Sequence, residues 1–109
     1  MTISIQDFAE IDLRVAEIKT VEKHPNADKL LVLKIDVGKD IGEKQLVAGI
    51  KEHYSPEQLI GKKIIIVNNL ATAVLRGVES QGMLLAARDD KDVVILTTEK
   101  DVSPGSKVQ

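Results

Sequence analysis

The chain has 109 residues, of which 43% are hydrophobic and 29% charged, and its formal net charge is −2. This length suits one compact domain with a buried core and is too short for two. Without cysteine the chain has neither a disulfide framework nor a thiolate metal site, and no apolar run is long enough to span a bilayer. No N-terminal segment pairs a basic region with an apolar one. We therefore expect a cytoplasmic protein without a membrane partner.

The first residues predict a short helix followed by a strand. Ser4 and Asp7 have the spacing of a capping box, which is typical of a helix N-terminus. From Leu13 the apolar period shortens to two residues. Leu13 and Val15 share one strand face, but the next apolar residues, through Ile18, fall on the other face. This slip predicts a β-bulge near Val15.

The rest of the chain predicts four more barrel strands and a second helix. The strands are residues 31–37, 45–50, 63–68 and 83–87, and the helix begins at Ser55-Pro56 and ends at Gly61. Five strands with a helix between the third and fourth give an all-β fold, a five-stranded OB-fold barrel with short helices and a C-terminal extension. We expect one domain, 1–109, with the barrel at about 12–88 and the extension at about 89–109. Residues 93–97 predict an extra strand, and 102–105 a turn before a short tail.

Enzymatic chemistry has little support in the sequence. Ser80 lies in a Gly-x-x-Ser-x-Gly segment, but a nucleophile elbow needs glycine at the position of Val78. His24 and His53 each lack a second metal ligand at helical or strand spacing. The glycines are dispersed singly, so no phosphate-binding loop is present. We expect no catalytic residue, no metal and no cofactor.

The distribution of charge bears on nucleic-acid binding. A negative total argues against it, because phosphate contacts come from Lys and Arg. Residues 12–34 carry five basic and four acidic side chains and residues 43–76 carry five and three, whereas residues 77–109 carry four and six. A locally positive face is therefore compatible with the total. The sequence predicts modest affinity with a shallow salt dependence.

Aromatic side chains are almost absent, since Phe8 and Tyr54 are the only two. OB-folds that hold single strands stack bases on exposed rings of the second and third strands, and neither residue falls there. The remaining mode of RNA recognition is by shape, through phosphate and 2′-hydroxyl contacts to a folded RNA.

Two connections of the predicted barrel collect polar and cationic side chains. OB-folds bind polymers through the connections between strands 1 and 2 and between strands 4 and 5. The candidate contacts are Lys23, His24, Asn26 and Lys29 in the first, Lys34 on the outward face of strand 2, and Asn69, Arg76 and Ser80 around the second. A purely structural interpretation stays open: Pro25, Asn26 and Asp28 would shape a tight turn, and Asn69, Ser80 and Gly82 would satisfy loop backbone groups.

The segments Leu13-Arg14-Val15 to His24-Pro25-Asn26-Ala27-Asp28-Lys29-Leu30 and Asn69-Leu70 to Arg76-Gly77-Val78-Glu79-Ser80-Gln81-Gly82-Met83 resemble one family. It is the tRNA-binding OB domain of methionyl-tRNA synthetase C-termini, of free-standing dimeric tRNA-binding proteins and of endothelial monocyte-activating polypeptide. The resemblance implies binding at the corner of the L-shaped tRNA with little sequence preference. The family commonly carries a lysine and a proline where this chain has Ala71-Thr72-Ala73-Val74, which removes a cation from the expected surface.

We therefore expect a homodimeric, non-catalytic tRNA-binding protein, either free-standing or the C-terminal or β component of methionyl-tRNA synthetase. Its partners would be tRNA, a second copy and, in the latter case, the catalytic part of the synthetase. The resemblance implies that the second copy binds through the C-terminal extension, about 89–109, and adjoining elements. Apolar residues in 74–78 and 93–102 exceed what a small barrel buries, which predicts a partner surface. The alternative is a protein-interaction module, as a secretion-chaperone-like dimer or a synthetase dimerisation domain.

Overall fold

A computed structural model describes residues 1–109, and the chain is mostly β-structure. The strands are β1 (Leu13–Lys23), β2 (Leu31–Asp36), β3 (Glu43–Ala48), β4 (Lys63–Val67), β5 (Ala73–Leu75), β6 (Val78–Ser80), β7 (Met83–Leu84), β8 (Ala86–Arg88), β9 (Val93–Ile95) and β10 (Lys107–Val108). The helices are α1 (Ile5–Ala9), which has the predicted capping box, and α2 (Pro56–Leu59). Neither helix is long and apolar enough to cross a membrane.

The predicted five-stranded antiparallel barrel is confirmed, with the strand order β3-β2-β1-β4-β7 in a nearly closed sheet. In β2 the side chains alternate as predicted: Leu31, Leu33 and Ile35 are fully buried and Lys34 is exposed. These residues belong to a core cluster of 13 side chains that α2 joins through the buried Leu59. With α2 between the third and fourth barrel strands, this is the OB-fold arrangement.

Strand β1 is irregular, but not where the sequence predicted. Its register against β4 runs unbroken through Leu13 and Val15, and the shift occurs against β2, between Ile18 and Thr20. The predicted bulge near Val15 was wrong because both faces of this part of β1 are buried. Leu13 and Val15 pack with Ile65 in a second, smaller apolar cluster outside the main core. Where both faces of a strand are covered, a break in the alternation of apolar residues no longer indicates a β-bulge.

The fifth predicted strand, 83–87, is divided in two. β7 pairs with β4 and completes the barrel, whereas β8 leaves the barrel and forms a hairpin with β9. The predicted strand at 93–97 is present in its first three residues. Ile95 is buried in the main core, while Val94 and Leu96 remain exposed.

The C-terminal residues fold back on β1, and the predicted tail after 102–105 is instead a strand. β10 pairs with Leu13 and Arg14, and the N–H of Gly105 donates to the carbonyl of Val15 at 2.7 Å. Lys63 anchors the same stretch through the Asp101 carboxylate at 2.6 Å. We call residues 10–15 with Lys63, 68–69 and 101–108 the terminal seam.

Side chains close the barrel at the free edge of β3. The N–H of Val47 donates to the Ser80 hydroxyl at 3.0 Å, and the N–H of Gln45 donates to the Gln81 side-chain oxygen at 2.8 Å. The N–H of Gln81 donates in turn to the carbonyl of Gln45 at 2.7 Å. Because these groups replace a backbone ladder, the edge of β3 keeps its hydrogen bonds without a full strand partner.

Candidate nucleic-acid interface

Strands β5 and β6 form a hairpin that the sequence reasoning treated as a plain connection between strands 4 and 5. Pairing ends at Leu75 and Val78, so Arg76 and Gly77 alone make the turn. Their φ angles of 53° and 90° are the positive values that a type I′ turn requires. In the sequence, the apolar residues on both sides of Arg76-Gly77 were the feature that could have indicated this hairpin. The hairpin was not predicted because arginine seldom adopts positive φ and is therefore not typical of such a turn.

The hairpin tip is tied to the β1–β2 connection, residues 24–30, by His24 and Asn26. The imidazole Nε2 of His24 donates to the carbonyl of Leu75 at 2.8 Å, and its Nδ1 accepts the N–H of Asn26 at 2.9 Å. The Arg76 guanidinium donates to the carbonyl of Asn26 at 3.2 Å, and the Asn26 amide donates to the carbonyl of Arg76 at 3.4 Å. The two connections singled out by the sequence therefore meet.

Together they form a concavity of about 410 Å³ that we call the loop surface, lined by residues 26–30 and Arg76. Lys29 and Arg76 are exposed here, and Lys23, also exposed, ends the strand that leads into it. The molecule has three ion pairs, and none includes these cations. Their charge is thus available to an anionic ligand.

The eight predicted site residues divide by location. His24, Asn26, Lys29 and Arg76 lie together, with Lys23 beside them, and Lys34 stands on the outer face of β2 opposite Thr20 and Gln45. Ser80 lies instead at the barrel closure, where it is only 4% exposed and its hydroxyl also donates to the carbonyl of Gly82 at 3.0 Å. Gln45 and Gln81, which hold the hairpin to β3, had no recognisable signal in the sequence.

Asn69 lies apart from the loop surface, in the terminal seam near the opposite end of β1. Its side chain accepts the N–H of Asp12 at 2.9 Å and donates to the carbonyl of Glu10 at 2.7 Å. Asp12 also receives hydrogen bonds from Asn68 at 3.0 Å and from Arg14 at 2.7 Å. These two bonds, that of Asn68 first, hold the pKa of Asp12 below its ordinary value.

A separate apolar groove of about 450 Å³ lies between the hairpin, the end of β3 and the β8–β9 hairpin. Leu70 and Met83 line it and are about half exposed, at 47% and 48%. Some of the apolar residues in 74–78 and 93–102, which exceed what a small barrel buries, line this groove.

The structure shows no cluster of metal ligands and no base beside the Ser80 hydroxyl. No three His, Cys, Asp or Glu residues are grouped so as to hold a metal ion. The Ser80 hydroxyl is committed to backbone partners, and neither histidine is hydrogen-bonded to it.

An OB barrel with unpaired cations on two adjoining connections belongs to the class of OB-fold polymer-binding modules. Residues 13–107 match the family model described as "Putative tRNA binding domain", and the chain belongs to this family of tRNA-binding domains.

Curated relatives of the chain include methionine–tRNA ligases. It is 52% identical over 107 residues to that of Pyrococcus horikoshii and 53% identical over 106 residues to that of Caldanaerobacter subterraneus. The matches cover 98% and 97% of this chain but only 14% and 16% of the ligases.

Similar solved structures come from two kinds of protein. The MetRS-related protein of Pyrococcus horikoshii superposes with a TM-score of 0.92 at 34% identity, covering 100% of this chain and 99% of that one. The chaperone CsaA of Bacillus anthracis superposes with a TM-score of 0.90 at 31% identity, covering 100% of both chains.

Proposed function

We propose that this chain is a non-catalytic module that binds folded tRNA through its loop surface, as a homodimer in the cytoplasm. The observation that carries the proposal is the meeting of Lys29 and Arg76 on one concavity, outside every ion pair. Cations without carboxylate partners can neutralise phosphates and release their counterions. Family membership supports tRNA as the nucleic acid.

The predicted contacts then divide into two roles. Lys23, Lys29, Lys34 and Arg76 are exposed and present their charge to phosphates. His24, Asn26, Asn69 and Ser80 use their polar atoms within the protein, so we assign them the role of positioning residues and revise the direct contact expected from the sequence. Lys34 extends the cationic surface from the loops onto the outer face of the barrel.

Recognition of the RNA by shape follows from the absence of an aromatic ring that could stack a base. Phe8 packs against the smaller apolar cluster, and Tyr54 packs against the main core with its hydroxyl accepting the N–H of Ile95. Neither ring is free to stack a base, so the contacts are to phosphate and sugar, and many tRNAs bind about equally.

A second copy of the chain raises the effective concentration of a weak site. Exposed apolar side chains remain near the N-terminus and in the C-terminal extension, among them Ile3, Ile5, Val94 and Leu96. Burying them between two copies removes apolar surface from water, and two loop surfaces on one dimer engage one RNA more tightly than either alone. Where the chain is part of a methionyl-tRNA synthetase, the dimer holds the tRNA for the catalytic part through the same two loop surfaces.

A filter-binding titration against several purified tRNAs tests the RNA role. Lys29→Ala with Arg76→Ala is expected to weaken binding to all of them about equally, roughly tenfold or more, and to lower the salt slope by about two. The matched control is Lys91→Ala with Lys100→Ala, which removes two exposed cations far along the chain from the loop surface. Equal affinities for the two double variants would contradict the proposal. Sedimentation of each variant should show a dimer, and a monomeric wild type would contradict that part.

The apolar groove favours a second candidate function, the binding of unfolded polypeptide, which the likeness to CsaA also suggests. An unfolded, apolar polypeptide would then compete with labelled tRNA or bind beside it. Met83→Asp is expected to abolish polypeptide binding and to leave tRNA affinity unchanged. Absence of any bound polypeptide at micromolar concentrations would remove this candidate.

A further inference from the structure

We propose that the outer edge of β5 binds an extended, apolar polypeptide segment with a carboxylate near one end, which adds to the β5–β6 hairpin as a third strand. The inference rests on the second candidate function, polypeptide binding at the apolar groove. It names the strand that pairs with the segment and the charge that selects it. It is independent of the RNA role.

The outer edge of β5 carries free backbone groups. A two-residue turn closes on a hydrogen-bonded pair, which here is Leu75 with Val78. The next pair, Val74 with Glu79, therefore points its N–H and C=O groups away from the partner strand. On the β6 side the carbonyl of Glu79 does so, since it accepts the side-chain amide of Gln45 at 2.8 Å. On the β5 side no other backbone group bonds to Val74.

This edge has none of the features that protect a free strand edge. The sequence from Leu70 to Leu75 contains neither a charged residue nor a proline, which are the usual means of protection. Val74 is 64% exposed, and β6 is the only strand that pairs with β5. At the free edge of β3, by contrast, the side chains of Ser80 and Gln81 accept the backbone N–H groups. The edge of β5 is thus open to the addition of a strand.

The apolar groove lies on one face of β5 and defines the chemistry of the added segment. Ala73 and Leu75 line the groove, so every second side chain of a neighbouring strand lies on the groove face. Arg88 is the only charged residue in the lining, and it takes part in no ion pair. An unpaired guanidinium favours a carboxylate as its partner. The segment therefore combines alternate apolar side chains with an acidic group.

Calorimetric titration of the full chain with a synthetic peptide tests the inference. The peptide is acetyl-Glu-Thr-Leu-Thr-Leu-Thr-Glu-amide, whose leucines and glutamates share one face of a strand. Val74→Pro removes the outward N–H and no hydrogen bond of the hairpin, so binding should weaken about tenfold, the size of one hydrogen bond. Val74→Ala is the matched control. It keeps the N–H, and the side chain that it shortens lies on the face away from the groove, so affinity should change less than about twofold.

Changes in the peptide test the same pairing on the wild-type chain, also if Val74→Pro fails to fold. One peptide is N-methylated at both leucines and another at the threonines. Because successive N–H groups of a strand point to opposite sides, only one of these sets faces β5. One peptide should therefore lose affinity about tenfold or more, and the other should keep it. Replacing both glutamates by glutamine should weaken binding to the wild type but not to Arg88→Gln.

The outcomes separate the pairing from the candidate function on which it rests. Equal binding by Val74→Pro and Val74→Ala, or equal losses in the two N-methylated peptides, would overturn strand addition and leave polypeptide binding at the groove. A peptide that fails to bind where an unfolded apolar protein binds would contradict the chemistry assigned to the segment. Failure of both ligands would remove the second candidate function itself. A dimer that becomes monomeric on Val74→Pro would assign the edge to a second copy and so refute the inference.

Discussion

The terminal seam and the loop surface use the same kinds of side chain in opposite ways. In the seam, Arg14 bonds to the Asp12 carboxylate at 2.7 Å and to the carbonyl of Gly105 at 3.1 Å. Lys63 bonds to Asp101 at 2.6 Å and to the carbonyl of Val102 at 2.9 Å. Arg14 and Lys63 thus each join segments that are distant in sequence.

At the loop surface the cations have no such partners. Lys29 is in no ion pair, and the guanidinium of Arg76 bonds only to the carbonyl of Asn26, at 3.2 Å. The neutral side chains around them hold the backbone in place. The comparison teaches that the hydrogen-bond partners of a cation, rather than its position in a loop, distinguish a stabilising charge from one that is available to a ligand.

The largest expected effect breaks the seam by steric means. A Cβ on Gly38, whose φ is +89°, would lie 2.6 Å from the carbonyl oxygen of Pro104. Gly42 has a similar φ of +84° with no atom within 4 Å of its Cβ position. Gly42→Ala should therefore cost about 1 kcal/mol from backbone strain alone, and Gly38→Ala about 3 kcal/mol from strain plus overlap. Denaturant unfolding measures both. Equal losses would show that the backbone contact at Pro104 yields easily.

Opening the barrel closure beside the hairpin should have an intermediate effect. Ser80→Ala leaves the buried N–H of Val47 without its acceptor, which costs about 2 kcal/mol. The exposed Ser103→Ala is the matched control and should cost less than about 0.5 kcal/mol. Hydrogen exchange at Val47 provides the local readout, and it should quicken in Ser80→Ala only. Unchanged exchange there would mean that another group replaces the hydroxyl.

The smallest expected effect is electrostatic and depends on pH. Because the folded-state pKa of Asp12 is lowered from 3.8, its carboxylate stabilises the fold above that pH. The contribution is lost as the pH falls through the lowered folded-state pKa. Asp12→Asn should therefore cost about 1 kcal/mol at neutral pH and progressively less in acid. Unfolding midpoints from neutral pH to about pH 3 test this, with the exposed Asp40→Asn as control. A loss that is constant with pH would assign the effect to packing.

The sequence predicted the barrel well because its signals are local. Alternation in β2, the capping box at Ser4 and the Pro56 helix start each depend on neighbouring residues, and the structure confirms all three. The predictions that failed depend on distant partners. The bulge near Val15 was misplaced because residues from the C-terminal end cover the outer face of β1, about 90 positions away along the chain.

The two connections that carry the candidate site could be predicted from the sequence, and their geometry only in part. Lys29 and Arg76 were assigned to the two connections through which OB-folds bind polymers, and they line one concavity. The separation of Asn69 from them, and the burial of His24 and Ser80, depend on which backbone groups lie opposite each side chain. Sequence periodicity does not indicate these hydrogen bonds, because their partners lie 33 to 57 positions apart in the chain.

The left-handed backbone conformation of Arg76 is unfavourable for arginine, but the guanidinium of this residue carries the charge proposed to contact the ligand. Asparagine or glycine at this position would relax the type I′ geometry and tighten the hairpin, yet either would delete a charge on which the proposed ligand contact depends. A directed-evolution campaign scored by heat resistance alone would therefore reward the loss of this arginine. Any such campaign should rank its variants by retained ligand affinity alongside survival.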